Sequence, residues 1–400
     1  MKQFKSLVST ALALCVSTAA QAQLEEVVVT AQKRTENLQD VPISVAAVTG
    51  EAVEKMHATS LRNIQGMVPN VQINNFPNTP NSAVFTIRGI GVLEPDPFAG
   101  NTVSIVQDGV PQYFNMGALL DLFDVESIEI LRGPQGTLFG ANTTGDVINV
   151  KTRQPTGEFG GRAEVTAGKW GRRDAKVAVD FPLIENVLAG KAAFMSHERD
   201  GWITNTVDGS DMDSRDVKVV RGYLHWTPED SPSFDATLAL EYAESRNGAP
   251  AITNGSRPGD LFFVPAGTQL PGASLPMYAS PCAGDPLTSR CRAPDKYYSG
   301  SSVRDQNDMD TYCVTLNANW SETTIGDVVS ITGYKKFDLH NYTDNDGTAL
   351  FGIDTNRRTN GWQFSQELRT SLGVSDYWNM QAGVFYMATN YDHDADYIYC

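Results

Sequence analysis

From Gly160 onward, apolar and polar residues alternate with a period of two, and this leaves the 400-residue chain few choices of fold. Phe234, Ala236, Leu238, Leu240 and Tyr242 share one face of an extended segment, and Asp235, Thr237 and Glu241 share the other. Tyr312, Val314, Leu316, Ala318 and Trp320 oppose Thr311, Thr315, Asn317 and Asn319. Ala175, Val177, Val179 and Phe181 oppose Lys176 and Asp180. Such strands build a sheet with one apolar and one polar face. A barrel with lipid outside and water inside meets that pattern, and so does a soluble sandwich or small barrel. No stretch reaches the ~18 consecutive apolar residues of a membrane-spanning helix, so a helical membrane protein is excluded.

Connection lengths favour the membrane barrel. Nine strands are expected, near 161–169, 173–181, 187–199, 215–226, 234–245, 307–320, 328–340, 361–372 and 378–391. Tight connections at 182–186, 227–233, 321–327 and 373–377 take turns with long ones at 200–214, 246–306 and 341–360. Only 170–172 interrupts this alternation of short turns and long external loops. The acids Asp208, Asp211, Asp213 and Asp216, then Asp344 and Asp346, then Asp392, Asp394 and Asp396 fall in or beside the long loops. None has the spacing of a calcium loop, so they are expected to be solvated, and no metal site is expected. An odd strand count leaves an open edge, which lipid does not tolerate. The chain is therefore expected to be the N-terminal part of a longer protein.

The N-terminus, with Lys2 and Lys5, an apolar run from Leu7 to Val16 and Ala20-Gln21-Ala22, has the layout of a secretory signal peptide over 1–22. Export fits the cysteines: Cys282 and Cys291 lie eight residues apart in a Pro/Gly-rich loop, a plausible local disulfide. The net charge of −16 repels polyanions, so nucleic acid is not an expected partner. His57, His197, His225, His340 and His393 are scattered, with no nucleophile–His–acid arrangement, so no enzyme and no cofactor are expected.

Between the signal and the alternating region, residues 51–56 and 59–65 read as short helices. Strands are expected at 84–88, 103–107, 128–132 and 147–151, separated by Gly, Pro and Asn turns. This describes a small α+β domain over 38–155, ahead of barrel strands over 156–400. Gly133, Pro134, Gly136, Gly140 and Gly89 read as turn residues. No lysine follows Gly140, so the stretch is not a phosphate loop. Just after the signal, Leu24-Glu25-Glu26-Val27-Val28-Val29-Thr30-Ala31 strongly favours extended backbone. It is either the first strand of a domain or a strand that adds to a partner's sheet. The loops 74–82 and 91–101, with Asn75, Phe76, Asn78, Phe98, Tyr113 and Phe114, mix aromatics and amides in a way suited to a small amphipathic ligand.

Glu26-Val27-Val28-Val29-Thr30-Ala31 resembles the TonB box of TonB-dependent outer-membrane receptors. The blocks that follow resemble their plug domain, in order and at family spacing. They are Asp40-Val41-Pro42-Ile43, Val68-Pro69-Asn70-Val71, Ile87-Arg88-Gly89, Gln107-Asp108-Gly109-Val110-Pro111, Val125 to Gly136, and Thr137-Leu138-Phe139-Gly140-Ala141-Asn142. The resemblance covers about residues 24–155. One departure is Asp146, where the family usually has glycine, which puts the local turn in doubt. The resemblance implies a signal, a TonB box and linker over 23–37, a plug, and part of a barrel that closes with about twenty-two strands. It implies an outer-membrane receptor that imports a scarce nutrient, most often a ferric siderophore, with TonB and lipid as partners. It also implies a plug–barrel latch that involves Arg88, Arg132 and Glu129. A passive porin or an extracellular β-rich binding protein is the alternative, and neither accounts for the plug blocks or the coupling segment.

Overall fold

A computed structural model describes residues 28–30, 32–34, 36–76, 79–91, 100–117, 122–140, 142–248, 251–252, 298–299, 301, 306–345, 347, 353–375 and 378–399. The signal segment, Cys282, Cys291 and Cys400 lie outside them. The first unit contains β1 (Val28–Val29), β2 (Glu36–Asn37), β3 (Ser44–Thr49), helix α1 (Gly50–Lys55) and a 3-10 turn over Leu61–Gly66. It continues with β4 (Val71–Phe76), β5 (Thr79–Ile87), β6 (Ile90–Gly91), β7 (Val103–Gln107) and β8 (Val110–Gln112). β9 (Val125–Arg132), helix α2 (Gly136–Phe139) and β10 (Asp146–Thr152) complete it.

The central sheet has the order β3-β9-β10-β7-β8, parallel only between β10 and β7. β9, β10 and β7 are buried on both faces, and their side chains alternate between two cores. Ile130, Ile148 and Ile105 join Val53, Leu61, Ile64, Ile73 and Phe85 on one side. Leu131, Val147 and Val106 join Phe139 and Val29 on the other. A strand packed on both faces shows a short apolar run in place of a period of two, and such runs are what mark β7, β9 and β10 near 103–107, 128–132 and 147–151; β3, β4 and β8 were not expected. Thr49 caps α1 by accepting from the Ala52 N–H at 3.3 Å. The expected helix at 59–65 is instead the short 3-10 turn: Asn63 Oδ1 accepts the N–H groups of Thr59 and Ser60 at 3.0 Å and tightens its start.

The second unit is one antiparallel sheet of nine strands. They are β11 (Gly160–Ala167), β12 (Arg173–Ile184) and β13 (Leu188–Arg199), then, after the short β14 (Ile203–Asn205) and β15 (Asp211–Met212), β16 (Arg215–Trp226) and β17 (Phe234–Asn247). After β18 (Tyr298–Ser299) come β19 (Gln306–Thr323), β20 (Gly326–Asp344), β21 (Ile353–Ser375) and β22 (Trp378–Tyr399). β14, β15 and β18 form their own small sheet at the end of the wall that carries the long connections. The alternation sorts as the pattern requires. Leu240, Val314, Leu316 and Val220 are exposed on the outer face, and Thr237, Arg221, Lys335 and Gln363 are buried on the inner one. At the short-turn end, Trp226 and Phe234 pack in a T shape with ring centroids 5.6 Å apart, and Phe234 lies tilted against Trp320 at 4.6 Å.

The strands run further into the loops than expected. β20 and β21 pair from Asp344↔Asp354 onward, so most of 341–360 is ladder and not loop. Asp392, Asp394 and Asp396 lie inside β22. Asp344 is buried and accepts from the Gly347 N–H at 2.8 Å, and Asp213 accepts from Arg199 at 3.0 Å. The solvated reading therefore fails for these two acids, because each carboxylate closes a turn or joins two chain segments. Among the described residues no group of three or more metal-ligating side chains converges. Replacement of Leu240 by arginine, mid-strand on the outer face, is expected to lower stability by about 2–4 kcal/mol, with Leu240→Ala costing less; urea unfolding of the protein folded into lipid vesicles measures the difference.

Candidate functional site

The segment that precedes the plug is stowed, and the chemistry of each residue explains how. Val28 and Val29 pair antiparallel with Asn37 and Glu36. Val29 is only 1% exposed and closes the second plug core. Burying a valine contributes about 1.5–3 kcal/mol. The N–H of Thr30 donates to Glu129 Oε1 at 2.8 Å and its hydroxyl donates to the same carboxylate at 3.1 Å. Asn149 Nδ2 donates to Glu129 Oε2 at 3.1 Å. Lys33 Nζ then reaches the wall, 2.6 Å from Glu367 Oε2 on β21. Arg369 holds the other oxygen of that carboxylate at 2.7 Å. Lys33 also lies over the Phe139 ring, 5.1 Å from its centroid. Burial pulls the Lys33 ammonium pKa below the usual lysine range, and Glu367 opposes that shift.

Plug and wall meet along a polar seam to which successive strands contribute. Lys191 Nζ on β13 lies 2.7 Å from Asp124 Oδ2, and Arg162 on β11 holds the other oxygen of that buried carboxylate. Arg221 on β16 donates to the Phe123 carbonyl at 2.6 Å and pairs with Glu241 on β17. Glu241 in turn accepts from Gln107 Nε2 at 3.3 Å. Asn317 on β19 donates to the Asp108 carbonyl at 3.2 Å, and Lys335 on β20 donates to Gln112 Oε1 at 2.7 Å. Gln363 on β21 donates to the Pro111 carbonyl at 2.7 Å and accepts from the Tyr113 N–H at 2.9 Å. The β7–β8 turn comes so close to the wall that a Cβ on Gly109 would lie 2.6 Å from Ile331 Cδ1.

Arg88 and Arg132 do not reach a wall carboxylate among the described residues. Arg88 donates to Ser44 Oγ at 3.4 Å and Arg132 to the Pro69 carbonyl at 3.5 Å. Both act electrostatically on Asp146, whose carboxyl burial pushes above the usual range while the Gly133 N–H and the two arginines pull it back. The turn that Asp146 put in doubt is intact: Asp146 starts β10 and accepts from the Gly133 N–H at 2.7 Å. Gly133 has φ +100, a conformation that side-chain-bearing residues rarely adopt. Gly89 and Gly140 also have positive φ, Gly136 opens α2, and Pro134 lies in the link before it. Glu129 is a correction. It faces Thr30 and Asn149 within the plug and touches no described wall residue, because β9 lies second in the plug sheet.

Of the expected ligand contacts, Phe114 is a second correction. It is buried, 5.1 Å from Phe337 and 6.1 Å from Tyr391 between ring centroids, so it packs plug against wall. Tyr113 is half-buried against Phe114. Asn75 accepts from Arg62 Nη1 at 3.1 Å. Phe76 ends β4, but its side chain, Asn78 and Phe98 lie outside the described residues, as do Glu26, Val27 and Ala31. Sequence reasoning missed Asp124, Lys191, Arg221 and Lys335. Inward polar residues on alternating strands were legible, but their partners lie 67 residues away for Lys191–Asp124 and 223 for Lys335–Gln112.

A nine-stranded wall with a polar inner face around an α+β plug, with β1 stowed against the plug, is the architecture of the plugged-barrel class. Residues 37–147 match the TonB-dependent Receptor Plug Domain family. The chain thus carries the plug domain of the TonB-dependent receptors and is similar in sequence to pesticin and siderophore receptors. It is 28% identical to the pesticin receptor of Yersinia pestis over 54% of this chain and 32% of that protein. It is 25% identical to the ferrioxamine B receptor of Salmonella typhimurium over 41% of this chain and 23% of that protein. The fold is similar to the crystal structure of the ferric yersiniabactin uptake receptor from Yersinia pestis, with TM-score 0.72 and 20% identity, over 89% of this chain and 50% of that one. The matched segment covers about a third of the pesticin receptor, and the chain spans about half of the yersiniabactin receptor whose fold it matches. The family consists of transporters rather than enzymes.

Removal of one member of a buried ion pair strands the other charge and costs about 3–5 kcal/mol. Lys191→Met is expected to cost toward the lower end, because Arg162 still faces Asp124; the urea midpoint should recover in part when Asp124→Leu is added.

Proposed function

We propose that the protein imports a scarce nutrient across the outer membrane, driven by TonB acting on residues 26–31. The observation that carries this reading is the stowed segment. Val29 sits in a plug core, Thr30 is bonded to Glu129, and Lys33 is tied to the wall at Glu367. None of these ties is part of the central sheet's ladder, so the segment can leave without unfolding the plug sheet. Its removal uncovers Val106, Leu131 and Val147, which links the state of the segment to the state of the plug. Ligand binding shifts that equilibrium only through unequal affinity for the two states. Once free, the valines and Thr30 add as a strand to the partner, and main-chain hydrogen bonds transmit the pull.

Arg88 and Arg132 are the proposed latch on the plug side, held ready by Asp146 at the ends of β9 and β10. The proposed cargo is a ferric siderophore. The names of the relatives support it: pesticin, ferrioxamine B and ferripyoverdine receptors stand beside a vitamin B12 transporter. Signal peptide, TonB-box linker, plug and barrel are proposed over 1–22, 23–37, 38–155 and 156–400.

Deletion of residues 26–31 is expected to abolish energy-dependent uptake and leave substrate binding intact, measured with radiolabelled ferric chelates on cells carrying the full gene. Undiminished uptake would reject the importer reading. Thr30→Val, which removes the side-chain bond to Glu129, is expected to raise the labelling rate of a cysteine placed at position 28.

A further inference from the structure

On its outer face the wall departs from its own pattern at β20 and β21. Leu224, Leu238 and Leu316 stand opposite one another on β16, β17 and β19, and Leu238 lies midway between Phe234 and Tyr242 on the lipid-facing side. The same row continues as Thr332 on β20 and Gln366 on β21, and Ser330 takes the place beside Ala318. Cross-strand partners share a face, so these three polar side chains point where the leucines point, away from the plug. They bond to one another. Thr332 Oγ1 donates to Gln366 Oε1 at 2.6 Å, and Gln366 Nε2 donates to Ser330 Oγ at 3.0 Å and to the Glu367 carbonyl at 3.1 Å. Some bonding capacity is left over. The amide oxygen has a second lone pair, and among the described residues the Ser330 hydroxyl donates to no acceptor. Hydrocarbon cannot replace water as a bonding partner. An amide between Phe364 and Leu368 on that face is therefore held at a cost that an apolar residue would not carry. Around this polar centre stand the exposed side chains of Leu316, Tyr334, Leu368 and Tyr386. Phe364 packs on Tyr386 with ring centroids 6.4 Å apart. No residue of the patch is charged.

We propose that this patch is a lateral contact through which two copies of the protein associate within the outer membrane, with Gln366 near the two-fold axis. The chemistry selects a second copy as the occupant. A hydroxyl and a primary amide each donate and accept, so the patch is complementary to itself. About a two-fold axis the Ser330 hydroxyl of one copy meets the amide oxygen of Gln366 on the other, and the symmetry makes the same bond a second time. The groups left over in one copy are thus the groups that the second copy needs. A charged partner would find no counter-charge here and would have to leave water to reach it. The small centre of Ser330, Thr332 and Ala318 lets the two sheets approach closely, and the tyrosines and leucines around it pack together and exclude lipid, as an apolar rim protects a polar centre in other interfaces. The contact uses the lipid face alone, so it is independent of the cargo and of residues 26–31.

The test is association of the full-length protein in membranes. Leu368→Cys, at the rim of the patch, should give a disulfide-linked dimer on oxidation of intact outer membranes, above the level of the parent. Val177→Cys, exposed on the outer face of β12, should not. Gln366→Leu with Thr332→Val should weaken association by about tenfold or more, read as energy transfer between donor- and acceptor-labelled protein while the vesicles are diluted with lipid. Ser330→Ala, which keeps the Thr332–Gln366 bond, should weaken it by about threefold. The urea midpoint in vesicles should stay the same or rise in both variants, because each places an apolar group against lipid. The proposal is overturned if the two cysteine variants crosslink alike, or if the crosslinked product joins this protein to a different one. It is equally overturned if the apolar variants associate like the parent, or if they lower the urea midpoint and leave crosslinking unchanged, the mark of a triad that serves only its own strand pair.

Discussion

Every second residue of the wall points inward, and an inward polar group away from water must find a partner or cost free energy. The plug supplies those partners. Lys191, Arg221, Asn317, Lys335 and Gln363 stand on five different strands, and each ends on a plug carbonyl, carboxylate or amide. Four of these contacts use main-chain carbonyls or an amide, so they read the path of the plug backbone more than its side chains. The wall and the plug fit because they share one polar seam. Among the described residues only Lys191 with Asp124 is an ion pair between fully buried groups, and its desolvation makes it more a device for registry than a large source of stability.

The stowed segment uses a different principle. Its ties are few and of three kinds: an apolar side chain in a core, a main-chain N–H on a carboxylate, and an ammonium on the wall. None belongs to the cooperative ladder of the central sheet. A segment held this way opens at lower free energy than the strands it covers, as segments that move in function must. The seam, by contrast, is distributed over many strands and is not undone by losing one contact. The segment and the seam thus differ in the number of their ties more than in the kind.

The nine wall strands were legible because lipid on one side and a polar lumen on the other keep the period of two clean. The plug was harder. β9, β10 and β7 are packed on both faces, so Ile130-Leu131 and Val147-Ile148 show no alternation and were read only from their apolar runs, while β3, β4 and β8 were not read as strands. Phe114 illustrates the commonest error: an aromatic beside a polar loop looks like a ligand contact until the wall is seen to cover it. Glu129 illustrates another, since nothing local in Ser127-Ile128-Glu129-Ile130 tells that its partner is Thr30, 99 residues earlier.

What the amino-acid order determined by itself is what depends on near neighbours: the strand period, the turns that need Gly89 or Gly133, and the extended backbone that Val28 and Val29 favour. What only the tertiary structure decided is partnership. Which wall residue meets which plug group, and where Val29 is stowed, depend on side chains from distant segments being brought into contact. Periodicity tells which way a side chain points. It cannot tell what waits there, because the partner's position is set by the closure of the whole sheet around the plug.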